Sequence, residues 1–438
     1  MRAVINFLTA HLRYIILFYI AVQIAYIFLF PLPFKSDSLY YFNLALSSIN
    51  SGSFYPSAIH LHEDYIIAPL FVNLQILVLK LYNSTYSIGL FHLALNLLQL
   101  YILSTLAKKY YGKPASAVFT MLYILYIPNI GFVLLNMTEL LFGALVGSAL
   151  LFLLSEKKSG FLISGLLSAA SVSVRPLGWA LILGIIIFHI FFSDSERLKS
   201  IITYALGIFI FFIIMGTLTF INSGQFIFTS VNYGTNFLIG ANDDASGAYN
   251  EKVFSEGNIG FIENSSSLTY STKQKFWFDQ AVNWIKNNTF EWIKVFPLKL
   301  THIFVWDDYA VSPLLHMQDW NLYKFSKALL IDKNIEQFFE TVPLYQQITY
   351  IALQILHHIY YFLIVILFLF VVIKRFSVIK SDTLSIAILL LTGVSIIIPL
   401  LSFGDPRFKY PYILLMIMLV SPFISNYIQK NKIINNTL

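Results

Sequence analysis

Ser36-Asp37-Ser38-Leu39-Tyr40-Tyr41 follows the apolar run Leu12 to Phe30 and its terminator Pro31-Leu32-Pro33. The run is long enough to cross a bilayer, and the residues after it place one carboxylate just beyond its end. An acid held beside hydrocarbon loses hydration, so a working role is the first hypothesis for Asp37. A helix N-cap is the plain structural alternative, and both uses can coexist on one residue. Arg2 and Arg13 precede or open the run and no small-residue cleavage site follows it, so it reads as a retained anchor rather than a signal peptide.

Most of the chain around that stretch is apolar. Of 438 residues 58% are hydrophobic, 11% charged and 41 are Phe, with a mean hydropathy of +0.72. A soluble core of this length cannot bury so much apolar surface, so an α-helical polytopic membrane protein is expected. Cysteine is absent, which excludes disulfides, thiolate metal sites and cysteine nucleophiles and leaves chemistry to oxygen and nitrogen groups. The net charge of +6 comes from basic residues in short clusters between apolar runs. That pattern orients helices in a membrane; it does not build a nucleic-acid surface.

Spanning runs are expected at 12–30, 86–106, 115–133, 136–154, 200–221, 348–373, 383–401 and 409–427. Two shorter ones, 159–174 and 177–193, flank Arg175-Pro176 and fit either a thin pair of spans or a re-entrant hairpin. The run Ile66 to Tyr82 is different. Counted as a span it would put Lys108, Lys109 and Lys113 outside, and from Pro69 its helix would be only about 21 Å long against a hydrocarbon core of ~30 Å. It is therefore expected to be an outer juxtamembrane helix. About ten spans with both termini inside follow, because Arg2, Arg13, Lys157, Lys158, Arg197, Lys199, Lys374, Lys380, Lys430 and Lys432 then all face inward.

This organisation gives a transmembrane core over 1–221 with a first outer loop at 31–85, one large outer (periplasmic) loop domain over 222–347, and C-terminal transmembrane helices over 348–438. Turn-rich stretches such as Asn242-Asp243-Asp244-Ala245-Ser246-Gly247 mark the loop domain. Helix is expected from Thr272 to Asn287, with Phe276, Trp277, Trp284, Ile285, Trp292 and Ile293 as an aromatic-rich stripe that either meets the membrane surface or packs within the domain. No internal repeat of the inverted-transporter kind is visible.

Few ionisable groups lie near the expected outer ends: Asp37, His60-Leu61-His62-Glu63-Asp64, Glu139, Arg175, Asp307-Asp308, and Asp405-Pro406-Arg407-Phe408-Lys409. Acids set against bases in one cleft would suit deprotonation of a hydroxyl while an anionic group departs. The histidine cluster matches no zinc spacing and reads as a solvated loop. Asp307-Asp308 and Asp243-Asp244 could hold a divalent cation, but adjacent acids on polar loops are common. Glu139 either complements a helix N-terminus or contacts substrate. Arg175 and Arg407 either grip phosphate or snorkel to headgroups. His357-His358 reads as packed or interfacial.

Five stretches, in this order, resemble C-type (GT-C) glycosyltransferases, a group that includes protein mannosyltransferases and lipid A aminoarabinose transferases. They are Ser36 to Tyr41 with Tyr65-Ile66-Ile67-Ala68-Pro69-Leu70; Ser173-Val174-Arg175-Pro176-Leu177-Gly178; Tyr233 to Tyr249 with Gly240, Asn242 and Gly247; Trp284-Ile285-Lys286 through Pro297-Leu298-Lys299-Leu300; and Gly404-Asp405-Pro406-Arg407-Phe408-Lys409-Tyr410-Pro411. Two departures stand out: Ser38 follows Asp37 where many relatives have a second acid, and Ala68-Pro69 replaces the usual Pro-Pro.

The resemblance implies a GT-C-like bundle that moves a sugar, with inversion, from a polyprenyl-phosphate carrier to a hydroxyl of a cell-envelope glycan, lipid or protein on the outer face. It implies no cofactor and no resident metal, with a divalent cation left open. By the same resemblance Asp37 is the catalytic base, while Tyr40, Tyr41, Asp64, Tyr65, Glu139, Arg175, Arg407 and Lys409 bind substrate. A lipid-linked sugar flippase or transporter, which would place charges mid-membrane, and an O-antigen ligase or polymerase, which would use an outer Arg–His pair, are the competing expectations. Richness in Ile, Asn, Lys and Phe points to a bacterial cytoplasmic (inner) membrane, with the site on the periplasmic face. Membrane lipids, the donor and the acceptor are the expected partners, and nucleic acid is not.

Overall fold

The chain folds almost entirely into helices, and the computed structural model describes residues 2–155, 157–192, 197–315, 322–339, 342–380 and 382–435. The last residue of the expected 177–193 run, parts of the 222–347 segment and the side chains of Arg2, Arg197, Lys430 and Lys432 lie outside the described residues. The first half contains α1 (Arg2–Leu29), α2 (Asp37–Asn50), α3 (Pro69–Leu81), α4 (Thr85–Leu125), α5 (Pro128–Leu134) and α6 (Glu139–Leu153). Then follow α7 (Lys158–Val172), α8 (Gly178–Phe192), α9 (Arg197–Ser223), α10 (Tyr233–Ile239), α11 (Tyr270–Asn287), α12 (Thr289–Lys294) and α13 (Phe296–Phe304). The remainder is α14 (Leu322–Leu330), α15 (Ile335–Phe338), α16 (Leu344–Ile379), α17 (Thr383–Val394), α18 (Ile397–Leu401) and α19 (Tyr410–Asn435).

Among the described residues six segments are long and apolar enough to cross a membrane: Thr9–Leu29, Thr85–Leu125, Leu198–Ser223, Leu344–Phe376, Thr383–Leu401 and Pro406–Tyr427. Four shorter apolar helices, α3, α6, α7 and α8, accompany them. The chain is thus a helical, multi-pass membrane protein.

Helix α4 is not straight. At Gly112 φ is 86° and ψ is 170°, a backbone state that glycine adopts without a Cβ clash. The chain doubles back there, so Ser116 Oγ donates to Ser104 O at 2.9 Å and Tyr123 OH donates to Asn96 Oδ1 at 2.6 Å. The expected runs 86–106 and 115–133 are its two arms, but the second stops at Leu125 because Tyr126 leaves the helical region with ψ 95°. A short helix, α5, fills out the rest of that run, and the expected 136–154 run becomes helical only at Glu139. The runs 159–174 and 177–193 are two separate helices of 15 residues each.

The bundle has two chemically distinct ends. Lys109 Nζ and Tyr110 OH both reach Leu154 O, at 3.1 and 2.8 Å, and Tyr111 OH lies 2.8 Å from Ser385 Oγ. The turns near 108–113, 154–158 and 380–385 therefore gather at one lysine-rich end. Glu139 begins α6 at the opposite end, about 22 Å away along 15 residues. A buried polar chain, Gln23–Asn96–Tyr123–Asn129–Tyr410, ties α1, α4, α5 and α19 together between the ends. Each of these groups satisfies the next, which is what low-dielectric surroundings demand.

The two polar segments fuse into one layer over the end that holds Glu139. Ile66 and Val231 form an antiparallel bridge, Tyr270 N–H donates to Leu61 O at 3.0 Å, and Gln274 Nε2 donates to Asp64 O at 2.9 Å. Of the aromatic stripe, Trp277 is buried, and Phe276, Trp284, Ile285 and Trp292 pack with Leu238, Ile239 and Phe403, leaving Ile293 exposed. Packing within the layer is the use made of it. Lys299 is buried there, donating to Gly240 O at 3.2 Å and Leu400 O at 2.8 Å, and burial pulls its pKa down to about 8. His60, expected on a solvated loop, is buried as well, its Nδ1 accepting from Ser57 N–H at 3.1 Å.

Helices α7 and α9 touch backbone to backbone. A Cβ on Gly165 would lie 2.1 Å from Tyr204 O, and one on Gly207 2.2 Å from Leu162 O. Small residues permit this approach where no hydrophobic effect drives helices together. Gly165→Ala should therefore lower the thermal midpoint of the detergent-solubilised protein, by about 1–3 kcal/mol at equilibrium. Gly393→Ala, whose Cβ meets nothing within 4 Å, should leave it unchanged. Equal midpoints for the two variants would mean that α7 and α9 are not in backbone contact.

Candidate active site

Asp37 is the first residue of α2, and Ser36 at the cap position before it makes no side-chain capping bond. The Asp37 carboxylate instead receives Arg407 Nη1–H at 2.7 Å, a contact between residues 370 apart in sequence. Arg407 sits in a short helical turn, Pro406–Lys409, that Asp405 caps by accepting the Arg407 backbone N–H at 2.8 Å. The same carboxylate takes Arg407 Nε–H at 3.0 Å and Nη2–H at 3.1 Å, a bidentate grip that fixes the guanidinium plane. The Tyr309 ring lies 4.6 Å from the guanidinium carbon. Asp405 and Asp37 together occupy three of the side-chain N–H groups, and the others remain available to a ligand.

Burial alone would push the Asp405 carboxyl up, yet the Arg407 guanidinium beside it holds it below the usual carboxylate range. A second guanidinium, Arg175, emerges from the turn between α7 and α8. Its Nη1 pairs with Glu139 Oε1 at 2.5 Å; Glu139 is fully buried and Arg175 keeps 11% of its side chain exposed. Phe408 lies 5.5 Å from that guanidinium.

All of these groups except Glu139 border a cavity of about 350 Å³. Asp37, Tyr40, Tyr41 and Tyr65 line it from the first polar segment, Arg175 from the α7–α8 turn, and Arg407 and Asp405 from the start of the last long helix. Opposite them are Ser230, Asn232, Thr235, Asn236, Tyr249 and Glu251 from the second polar segment. An apolar wall of Val174, Pro176, Leu177, Ile398, Pro399, Phe403 and Phe408 completes it. Tyr40 OH donates to Glu63 at 3.0 Å and Tyr249 OH to Glu251 at 2.7 Å. Burial pushes the Tyr65 hydroxyl up to about 12, so it serves as a neutral donor at ordinary pH.

Six of the residues expected at the site, Asp37, Tyr40, Tyr41, Tyr65, Arg175 and Arg407, do line this cavity. Glu139 stands behind Arg175 and does not border it. Asp64 and Lys409 lie elsewhere. Asp64 is on the surface of the polar layer, paired with the buried Lys273 at 2.9 Å. Lys409 points the other way: it is buried, donates to Ile303 O at 2.7 Å and to Trp306 O, and pairs with Asp307 at 3.1 Å. Asp307, read in the sequence as part of a polar loop, is buried too, accepting from Tyr126 OH at 2.9 Å and lying 3.0 Å from His357 Nε2. Asp307 has its cation in Lys409, because an uncompensated charge in such surroundings is costly.

Sequence reading had not singled out Glu251 or Tyr309. Tyr309 directly follows Asp307-Asp308, and Glu251 lies two residues beyond the Tyr233 to Tyr249 stretch. Among the described residues no three His, Asp or Glu side chains cluster in a way that could hold a metal ion. Chemically the cavity offers two exposed or partly exposed carboxylates, Asp37 and Glu251, two guanidiniums with anchored carboxylates beside them, and walls of tyrosine and amide. Such a set can bind an anion, receive hydroxyl-rich groups and accept a proton.

No family model matches the chain, and no curated protein matches it. Among solved structures it is similar to an oligosaccharyltransferase from Archaeoglobus fulgidus, determined in complex with zinc and sulfate, at 13% identity and a TM-score of 0.49. That likeness covers 94% of this chain and 49% of the other, so the chain spans about half the length of the structure it matches.

Proposed function

We propose that this chain is an inverting glycosyltransferase that moves a sugar from a polyprenyl-phosphate donor to a hydroxyl of a cell-envelope glycan, lipid or protein. The observation that carries the reading is the Asp37–Arg407 contact inside a cavity that also holds Arg175. One base with cationic clamps on the departing phosphate suffices for such a transfer.

In the proposed step the acceptor oxygen attacks the anomeric carbon from the face opposite the phosphate. Asp37 takes the acceptor proton, the C–O bond to acceptor forms, and the bond to the phosphate oxygen breaks with its electron pair. The polyprenyl phosphate leaves as a monoester whose second pKa is about 6, so it needs no protonating acid. Arg407 and Arg175 meet the charge that develops on it. Tyr40, Tyr41, Tyr65, Asn232 and Asn236 present the hydroxyl and amide groups that would hold the sugar.

The same reading makes the bundle GT-C-like, with about ten passes once the two arms of α4 and the short helices α6, α7 and α8 are counted. Placing the lysine-rich end in the cytoplasm puts the cavity at the outer face of a bacterial inner membrane. Substrate then needs no protein cofactor, and Asp64 and Lys409 act on it only through the loops they brace.

Asp37→Asn should abolish transfer in vesicles supplied with donor while the protein still inserts and folds; activity within about threefold of wild type would remove Asp37 from the base role. Arg407→Ala should raise the apparent donor KM and slow turnover as well, since the departing charge is largest in the transition state. A donor dependence unchanged from wild type would leave Arg407 as a purely structural cation.

The clamp also has a pH signature. Asp405 has a lower pKa folded than the ~3.9 of an unperturbed Asp, so its contribution to stability is complete above that value and is lost as pH falls through the folded value. The melting-temperature gap between wild type and Asp405→Asn should accordingly be constant near neutrality and close on acidification. A gap that widened in acid would contradict the Asp405–Arg407 pairing.

A further inference from the structure

Asp37 is placed by its neighbours. Ser36 before it has φ 48°, a left-handed state unusual for a residue with a side chain, and gives no capping bond. The carboxylate itself is 45% exposed, and among the described contacts its ion pair is with Arg407 alone. What fixes the first turn of α2 lies on the other side, at Ser38, which is 2% exposed. Ser38 Oγ accepts the backbone N–H of Asn136 at 2.9 Å, and Ser38 O accepts Asn136 Nδ2–H at 3.1 Å. The same amide nitrogen donates to Gln75 Oε1 at 3.1 Å, on α3. Asn136 and Gln75 are both fully buried.

Resting on the proposed transfer, we infer that Asn136 is a positioning residue for the Asp37 carboxylate. It sits three residues before Glu139, so one short segment, Asn136-Met137-Thr138-Glu139, holds Asp37 through Ser38 and Arg175 through Glu139. Base and second cation are thereby set relative to one another by a single piece of backbone. Asparagine suits the task because its amide supplies two N–H donors, one for Ser38 O and one for Gln75 Oε1. Aspartate would set a carboxylate oxygen against the Ser38 carbonyl, and leucine of similar size would hold neither partner. The Ser38 carbonyl belongs to a helix turn, so loss of the tether frees the turn to shift while the helix persists.

The test compares Asn136→Leu, Ser38→Ala and the double variant with wild type, in vesicles supplied with a polyprenyl-phosphate sugar and acceptor, alongside a structure of Asn136→Leu. A displacement of about 1 Å at the base should cost roughly tenfold to a hundredfold in kcat. The donor KM should stay within about threefold, since Glu139 still holds Arg175. The double variant should lose more than either single one, because Asn136→Leu removes the amide bonds to Ser38 O and Gln75 Oε1 while Ser38→Ala removes the hydroxyl that accepts the Asn136 backbone N–H. In the structure the Asp37–Arg407 contact should be broken. Unchanged kcat, a double variant no worse than either single one, a parallel collapse of donor affinity and turnover, or an intact Asp37–Arg407 contact would each overturn the assignment. If Asn136→Leu does not fold, Ser38→Ala decides on the same criteria. If wild type transfers nothing, the proposed function fails by itself, and the position of Asp37 in the variant structure still decides the role of Asn136.

Discussion

Arg407 must be charged where it sits, and that requirement shapes everything around it. Its side chain is 14% exposed, and the surrounding helices are apolar, so the guanidinium is stable only with carboxylates on it. Asp405 supplies a bidentate partner from within the same turn, which costs no long-range geometry. Asp37 supplies the second from the far end of the chain, which obliges the first polar segment to fold back onto the last long helix. Once that contact is made, α2, the α7–α8 turn and the 230–251 stretch have little choice but to close the remaining sides.

Charge compensation also sorts the candidate residues. Lys409 and Asp307 are buried together with His357 and Tyr126 completing the set, and both are consumed by that arrangement. Lys273 is consumed by Asp64 and by the carbonyls of His62 and Glu63. Arg175 has one carboxylate and a partly exposed face. Arg407 has two, one of them itself nearly half exposed. The groups that retain unspent donors or acceptors toward the cavity are the ones able to meet a ligand, and the fully paired ones brace the loops that carry them.

The helices were legible because hydropathy and the lysine-bearing break between 106 and 115 are local properties. So were Asp37, Arg175 and Arg407, since an ionisable group at the end of an apolar run stands out. Helix ends were less so: Tyr126 breaks a continuous apolar run in order to reach Asp307, a partner that no local pattern announces. Lys409 and Asp64 were expected to bind substrate beside Arg407 and Asp37 because sequence shows charges but not which acid meets which base. Glu251 and Tyr309 were invisible for the opposite reason. They lie in polar stretches where a carboxylate or a phenol is unremarkable, and only the bridge between Ile66 and Val231 and the turn after Asp308 bring them to the cavity.

The resting contact bears directly on how the proposed transfer would begin. A carboxylate oxygen accepting a 2.7 Å bond from a guanidinium is already occupied, so the acceptor hydroxyl meets it freely only once that contact loosens. An arriving phosphate offers Arg407 a better-matched partner than Asp37, while Asp405 keeps the guanidinium plane in place. Any loosening of the Asp37–Arg407 pair would free Asp37 Oδ2 for the acceptor hydroxyl at the moment it needs deprotonating. Donor before acceptor is then the productive order, since an acceptor arriving first would meet a carboxylate still committed to its cation.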